Sequence, residues 1–101
     1  MEGDEIMGVS RIPDYIRVEV MRSYNGYCAI DGCHNKATEI HHIKSNSKMN
    51  VKRWPLFINS PFNLKPICQP DHQSGKKEQW KITDAQANMY EAFLYALEKG
   101  R

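Results

Sequence analysis

Thr38-Glu39-Ile40-His41-His42-Ile43 and, twenty residues further on, Asn63-Leu64-Lys65-Pro66-Ile67-Cys68 are the stretches on which the reading of this chain turns. Each is short and mixes β-branched and apolar residues between polar boundaries, as a strand does. Pro66 lacks a backbone donor and so marks the second as an edge strand. Successive side chains on a strand point to opposite faces, so His41 and His42 are expected on different sides. One can then ligate a metal while the other faces a water or a substrate. His72 follows Cys68 by four residues and opens a helical or loop-helix segment. If the two strands pair, His72 comes within reach of His41.

Upstream, Tyr27 to Ile43 reads as a β-hairpin region, with Asp31-Gly32 as a tight turn between Cys28 and Cys33. Before it, Pro13 followed by Asp14 to Arg22 predicts a short helix with Ile16, Val20 and Met21 on one face, closed by Asn25-Gly26. Residues 1–10 show no periodicity and are expected to form a flexible tail. Residues 44–62, with Pro55, Pro61 and several Asn and Ser, predict a long loop, functional or disordered, that packs back through Trp54, Leu56, Phe57 and Ile58. The last helix, over 83–99, is the clearest element. Thr83 and Gln86 make a capping box, Gly100 supplies the stop, and Ala85, Met89, Ala92, Phe93, Ala96 and Leu97 recur at helical spacing as its core face.

With 101 residues, 41% apolar and 26% charged, the chain has the size and composition of one globular domain with a modest core. No apolar run is long enough to cross a membrane, and Met1-Glu2-Gly3-Asp4-Glu5 is acidic where a secretory signal would be basic. A cytoplasmic location is expected. Three cysteines are too few and odd in number for a disulfide framework; metal ligation or burial as small apolar residues explains them better. The net charge of +2 conceals a bias: residues 36–81 hold nine basic side chains against three acids, a surplus of six. Such a segment suits a phosphate backbone, and Lys44, Lys65, Lys76 and Lys77 stand nearest the histidine and cysteine motifs.

Ile40-His41-His42-Ile43, then Asn63-Leu64-Lys65-Pro66-Ile67-Cys68, then Asp71-His72 resemble the signature of the HNH endonuclease family. In that signature a residue–His pair ends the first strand, Asn-Leu opens the second, and a His follows a cysteine knuckle. The likeness covers residues 27–81, and the small stand-alone members it resembles are those of phages and mobile elements. It implies an α+β fold with a ββα-metal (His-Me finger) core at 27–81, flanked by an N-terminal helix and a C-terminal amphipathic helix. It also implies that His41 and His72 ligate one catalytic divalent cation, that His42 is the general base, and that Asn63 braces the loop and holds His42. Asn59 is a rival for that bracing place. Most members have Asp where His41 stands, and imidazole favours Zn²⁺, Ni²⁺, Co²⁺ or Mn²⁺ over Mg²⁺. The implied reaction is hydrolysis of DNA, with RNA also admissible, leaving a 5′-phosphate and a 3′-hydroxyl. A histidine base and a cation with open positions are what that chemistry needs. A larger protein partner could dock on the 44–62 loop.

Cys28-x₄-Cys33 has the spacing of a zinc knuckle. The resemblance adds a second knuckle at Cys68, but three residues on, where the family's fourth cysteine belongs, stands Asp71. Asp71 can bind zinc through oxygen, His34 can stand in for it, or the site is empty. Cys28, Cys33, Cys68 and Asp71 are the expected structural zinc ligands, a staple that a domain this small would use. The blander readings are three buried thiols, structural histidines, and Trp54 and Trp80 as core residues. The rival functions are a non-catalytic, zinc-stabilised nucleic-acid-binding module and a protein-interaction domain.

Overall fold

Strand β1 (Glu39–His42) pairs antiparallel with β2 (Leu64–Ile67), with Glu39 opposite Ile67 and His41 opposite Lys65. Hydrogen bonds from Thr38 N to Ile67 O and from Ile43 N to Asn63 O extend the ladder at both ends. Alternation sorts the side chains: Glu39, His41, Lys65 and Ile67 share one face, and Ile40, His42, Leu64 and Pro66 the other. The computed structural model describes residues 11–100, so the tail expected at 1–10 lies outside the described residues. Among those residues the chain is α+β, with four α-helices and this one two-stranded sheet.

Helix α1 (Asp14–Ser23) covers one face of the sheet, burying Val20 and Ile12 against Leu64, with Ile16 and Ile40 packed alongside. It ends where Asn25 and Gly26 adopt positive φ, 54° and 82°, the turn that the Asn-Gly pair predicts. The predicted hairpin over 27–43 does not form in full. It shrinks to the antiparallel bridge Tyr27–Lys36, flanked by bonds from Cys28 N to Asn35 O and from Ala37 N to Gly26 O, and the ladder partner of 39–42 is β2. Between Cys28 and Cys33 the chain curls, with Gly32 at φ 81° and Cys33 N bonded to Ile30 O at 3.0 Å. This turn buries Cys28 and Ile30 against Ile67 and Cys68, so side-chain convergence overrides extension.

Residues 44–62 are not one loop. Ser47 accepts from Asn50 N at 3.2 Å and caps helix α2 (Lys48–Arg53). The chain then folds back as expected, burying Trp54, Phe57 and Ile58 against Ala87. β2 is followed at once by α3 (Gln69–Ser74), which carries Asp71 and His72 and stops at Gly75, φ 90°. The last helix, α4 (Asp84–Lys99), has the predicted capping box. Its buried face is not the predicted one. Met89, Phe93 and Leu97 are 72%, 51% and 47% exposed, while Ala87 is fully buried and Tyr90 and Leu94 pack beside it. Polar bonding sets this rotation. Glu91 Oε1 accepts from Leu56 N and Phe57 N at 3.0 and 2.9 Å, and Asn88 Oδ1 accepts from Trp54 Nε1 at 2.8 Å. Backbone donors of a folded-back segment need partners, and Glu91 on this face of α4 accepts from two of them. Among the described residues, no helix is long and apolar enough to cross a membrane.

Candidate functional site

β1 and α3 bring His41 and His72 together, with His41 Nδ1 3.2 Å from His72 Nε2. Two nitrogens on one ion, each about 2.1 Å from it, stand about 3.0–3.4 Å apart for ligand angles between square and tetrahedral. The far nitrogen of His72, Nδ1, donates to Glu39 Oε1 at 2.5 Å. A carboxylate only accepts, so the hydrogen in this contact belongs to His72 Nδ1, and Nε2 is the ring nitrogen turned toward His41. A carboxylate placed so is of the kind that orients metal-binding histidines where such a site exists. Glu39 is a residue that motif reading misses, although it lies two before His41 and therefore on the same strand face. Burial, and next the neighbouring His72, push the His41 pKa down to about 4, so its imidazole is neutral at physiological pH. Trp80 stacks on the His41 ring at 5.9 Å between centroids. A cleft of about 350 Å³ opens beside His41, lined also by Lys44, Asn50, Lys77 and Trp80.

His42 turns to the other face of the sheet, where its Nε2 lies 2.8 Å from Asn59 Oδ1. Burial lowers its pKa, and the bond to Asn59 offsets part of that shift. Asn63 is fully buried and makes three bonds: Oδ1 accepts from Lys44 N at 2.8 Å, and Nδ2 donates to the carbonyls of Lys44 and Ile58, both at 2.9 Å. It braces the loop as expected, but the expected hold on His42 falls to Asn59. The reason is local. Asn63 ends a short 3₁₀ turn (Pro61–Asn63) rather than opening the strand, so its carboxamide meets backbone.

The cysteines converge as well. The ligand atoms of Cys28, Cys33, Cys68 and Asp71 all lie within 4.8 Å of one another, close enough to bind a metal ion. Cys33 Sγ is 3.7 Å from Cys68 Sγ, and Cys28 Sγ is 3.3 Å from Asp71 Oδ2. Sulfurs at about 2.3 Å from a tetrahedral zinc are about 3.8 Å apart. The chain arrives from three directions: the 28–33 turn, the end of β2, and the first turn of α3. Hydrogen bonding from the Cys33 thiol holds the Asp71 carboxyl down to about 2, and the same carboxyl pushes the Cys33 thiol up to about 12. Burial pushes the Cys28 thiol up as well, and it donates to Asp71, whereas the Cys68 pKa is lowered, its burial outweighed by hydrogen bonds such as that from Asn35. His34 is exposed and is not among these donors.

Comparison with protein-family models, curated proteins and solved structures finds no match to this chain.

The four candidate phosphate-binding lysines are all engaged within the fold. Lys44 Nζ pairs with Asp84 at 2.7 Å, and Lys65 Nζ donates to Tyr24 Oη at 2.9 Å. Lys76 Nζ lies 3.5 Å from Asp71, and Lys77 Nζ donates to the His72 carbonyl at 2.6 Å. Lys44 and Lys77 nevertheless line the cleft beside His41. Trp54 is buried, as a core residue should be, whereas half-buried Trp80 forms a wall of that cleft.

Proposed function

We propose that this chain is a metal-dependent endonuclease of the HNH kind, built on a ββα-metal core, that hydrolyses DNA phosphodiester bonds. One observation carries the reading: His41 and His72 converge across β1 and α3 at a spacing suited to a shared ion, with Glu39 orienting His72. The two strands pair and α3 follows the second directly, which supports the ββα arrangement that the motif implies, although α2 and a 3₁₀ turn stand between the strands. His41 and His72 would hold a divalent cation, which would supply charge stabilisation for the phosphate and the leaving oxygen. The remaining chemistry belongs to side chains. His42, kept neutral by burial, accepts a proton from the attacking water. Lys44 and Lys77 place positive charge at the cleft where the flanking phosphates would run. Three sulfurs and one carboxylate in a closed set suit zinc in a structural role, so a second ion, held by Cys28, Cys33, Cys68 and Asp71, fixes the turn and helix around the histidines.

The test is plasmid cleavage by purified protein with Mg²⁺, Mn²⁺, Ni²⁺, Co²⁺ or Zn²⁺, beside His42→Ala. Supercoiled DNA is expected to become nicked or linear in a metal-dependent way, at a rate about 10²–10⁴-fold lower in the variant. Folded wild-type protein that binds DNA but cuts it with none of these metals would select the non-catalytic, zinc-stabilised binding module instead.

A further inference from the structure

Helix α4 is held to the rest of the chain along one edge. Of its sixteen residues Ala87 alone is buried, with Tyr90, Glu91 and Leu94 half-buried beside it. The apolar stripe that the sequence offers as a core therefore faces outward: Ala85, Met89, Ala92, Phe93, Ala96 and Leu97 are all exposed. Phe62 extends the stripe sideways. It stacks on Tyr90 at 4.7 Å and meets Phe93 edge-on at 6.1 Å between ring centroids. Phe62, Gln86, Met89, Tyr90 and Phe93 line one cavity of about 440 Å³, so the patch is continuous.

Met89, Phe93, Leu97 and Phe62 are 72%, 51%, 47% and 41% exposed. A large side chain has about 200 Å² to cover, so these four leave about 400 Å² of apolar surface in water. A stable interface covers about 800 Å² on each partner, somewhat more than half of it apolar. The four side chains thus supply most of that apolar share, and Ala92, Ala96 and Tyr90 add to it. Gln86, Met89, Phe93, Ala96 and Gly100 follow one another at steps of three, four, three and four, the seam spacing of paired helices, and none is charged. The seam is also complementary to itself. When a second copy lies antiparallel with Phe93 on a two-fold axis, Phe93 meets Phe93, Met89 meets Leu97, Tyr90 meets Ala96 and Gln86 meets Gly100. Tyr90 and Gln86 then face small residues, and flexible Met89 faces Leu97. The acidic first turn at Asp84 comes beside the basic last turn at Lys99 of the other copy. Glu98 of that turn lies on the side turned to α1, with Tyr15 and Ile16.

We propose that the outer face of α4 is a dimerisation surface, covered by α4 of a second copy of this chain running antiparallel across a two-fold axis at Phe93. Two kinds of force then divide the helix between them. The bonds that Asn88 and Glu91 make to Trp54, Leu56 and Phe57 choose the edge that stays within the chain. The apolar surface left on the other side is removed from water by its own copy.

The experiment is sedimentation equilibrium of the zinc-loaded full chain over the micromolar to millimolar range. The wild type is expected to pass from one chain to two with a micromolar Kd, as an interface at the small end of the stable sizes does. Phe93→Glu and Phe93→Lys each set like charges together on the axis. Each should weaken association by at least about a hundredfold while circular dichroism keeps the folded signal. Mixed in equal amounts the two should form a dimer again, because only on the axis does position 93 meet its own copy. Ala96→Glu, exposed on the same seam, is the second disruptive variant should Phe93 prove necessary for folding. Tyr95→Glu changes a side chain that is 57% exposed on the far side of α4 and should leave the dimer intact. Three results overturn the proposal: a wild type that stays monomeric at millimolar concentration, a dimer that survives the folded Phe93→Glu or Ala96→Glu variant, and charge variants that separate but do not recombine. Association is read without DNA, so a monomer that cuts DNA removes the dimer alone, and a dimer that cuts none removes the nuclease reading alone.

Discussion

Asp71 and His72 are neighbours on α3, yet they serve sites of opposite character. Asp71, 5% exposed, points into a closed set with three cysteine sulfurs, drawn from three segments of the chain. His72, half-buried, meets His41, the other expected ligand, beside an open cleft. Four protein donors leave an ion nothing to do but hold the fold, whereas two leave coordination positions for water and substrate. The contrast teaches that one short helix, α3, ties the two together. Its first turn is secured by the cysteine cluster, and the next residue along delivers the histidine. Loss of the cluster should therefore damage both sites, and loss of the histidine pair only one.

The largest expected effect tests that asymmetry. Cys68→Ser, or a strong zinc chelator added to the wild type, should abolish the cooperative thermal transition followed by circular dichroism, because zinc bound only by the folded state contributes its binding free energy to folding. DNA cleavage should disappear with it. A transition that neither treatment moves would reduce the cluster to three buried thiols and a carboxylate. Next in size, His41→Ala should cut plasmid cleavage by more than about a hundredfold, since cation stabilisation of a phosphoryl transition state amounts to several kcal/mol. Its Tm should move by no more than about 5 °C, roughly 1 kcal/mol in a domain of this size. Unfolding by this substitution would erase the distinction between the two sites.

Smaller effects sharpen the comparison. Glu39→Gln should weaken metal binding at the histidine pair by about 10–100-fold, as outer-shell changes do, while calorimetry still finds the cysteine cluster filled with its usual affinity. The two sites should also differ in pH dependence. With its thiol pushed up to about 12, Cys33 carries a proton at neutral pH that the metal must displace. Cluster affinity should then rise with pH, by about tenfold per unit for each proton released. His41, pushed down to about 4, has already lost its proton and adds no such slope. Competition with a chromophoric chelator across the neutral range measures both, and a flat cluster affinity would mean that thiols are not its ligands.

Much of this was legible in the residues themselves. Both strands, α1 and α4 were readable because their boundaries are written locally, in Asn25-Gly26, Pro66, the Thr83–Gln86 capping box and Gly100. α2 was not, since its six residues carry no apolar period and only the Ser47–Asn50 cap announces it. The convergence of His41 with His72 followed from strand alternation once pairing was assumed. Glu39 shares that alternation and was still missed, because a lone glutamate carries no motif. Asn59 was passed over in favour of Asn63 for the same reason, since the motif names only Asn63.

By itself the sequence determined which residues could ligate or accept protons, and which faces of β1 they occupy, because residue chemistry and the two-residue period of a strand are local properties. Only the tertiary structure decided that Asn59 meets His42, that the expected Asp71 and not His34 stands with the cysteines, and that α4 turns Ala87 and Glu91 inward while Met89 and Phe93 face out. Those outcomes depend on satisfying buried backbone donors and ligand atoms across tens of residues, and no periodicity along the chain records such a requirement.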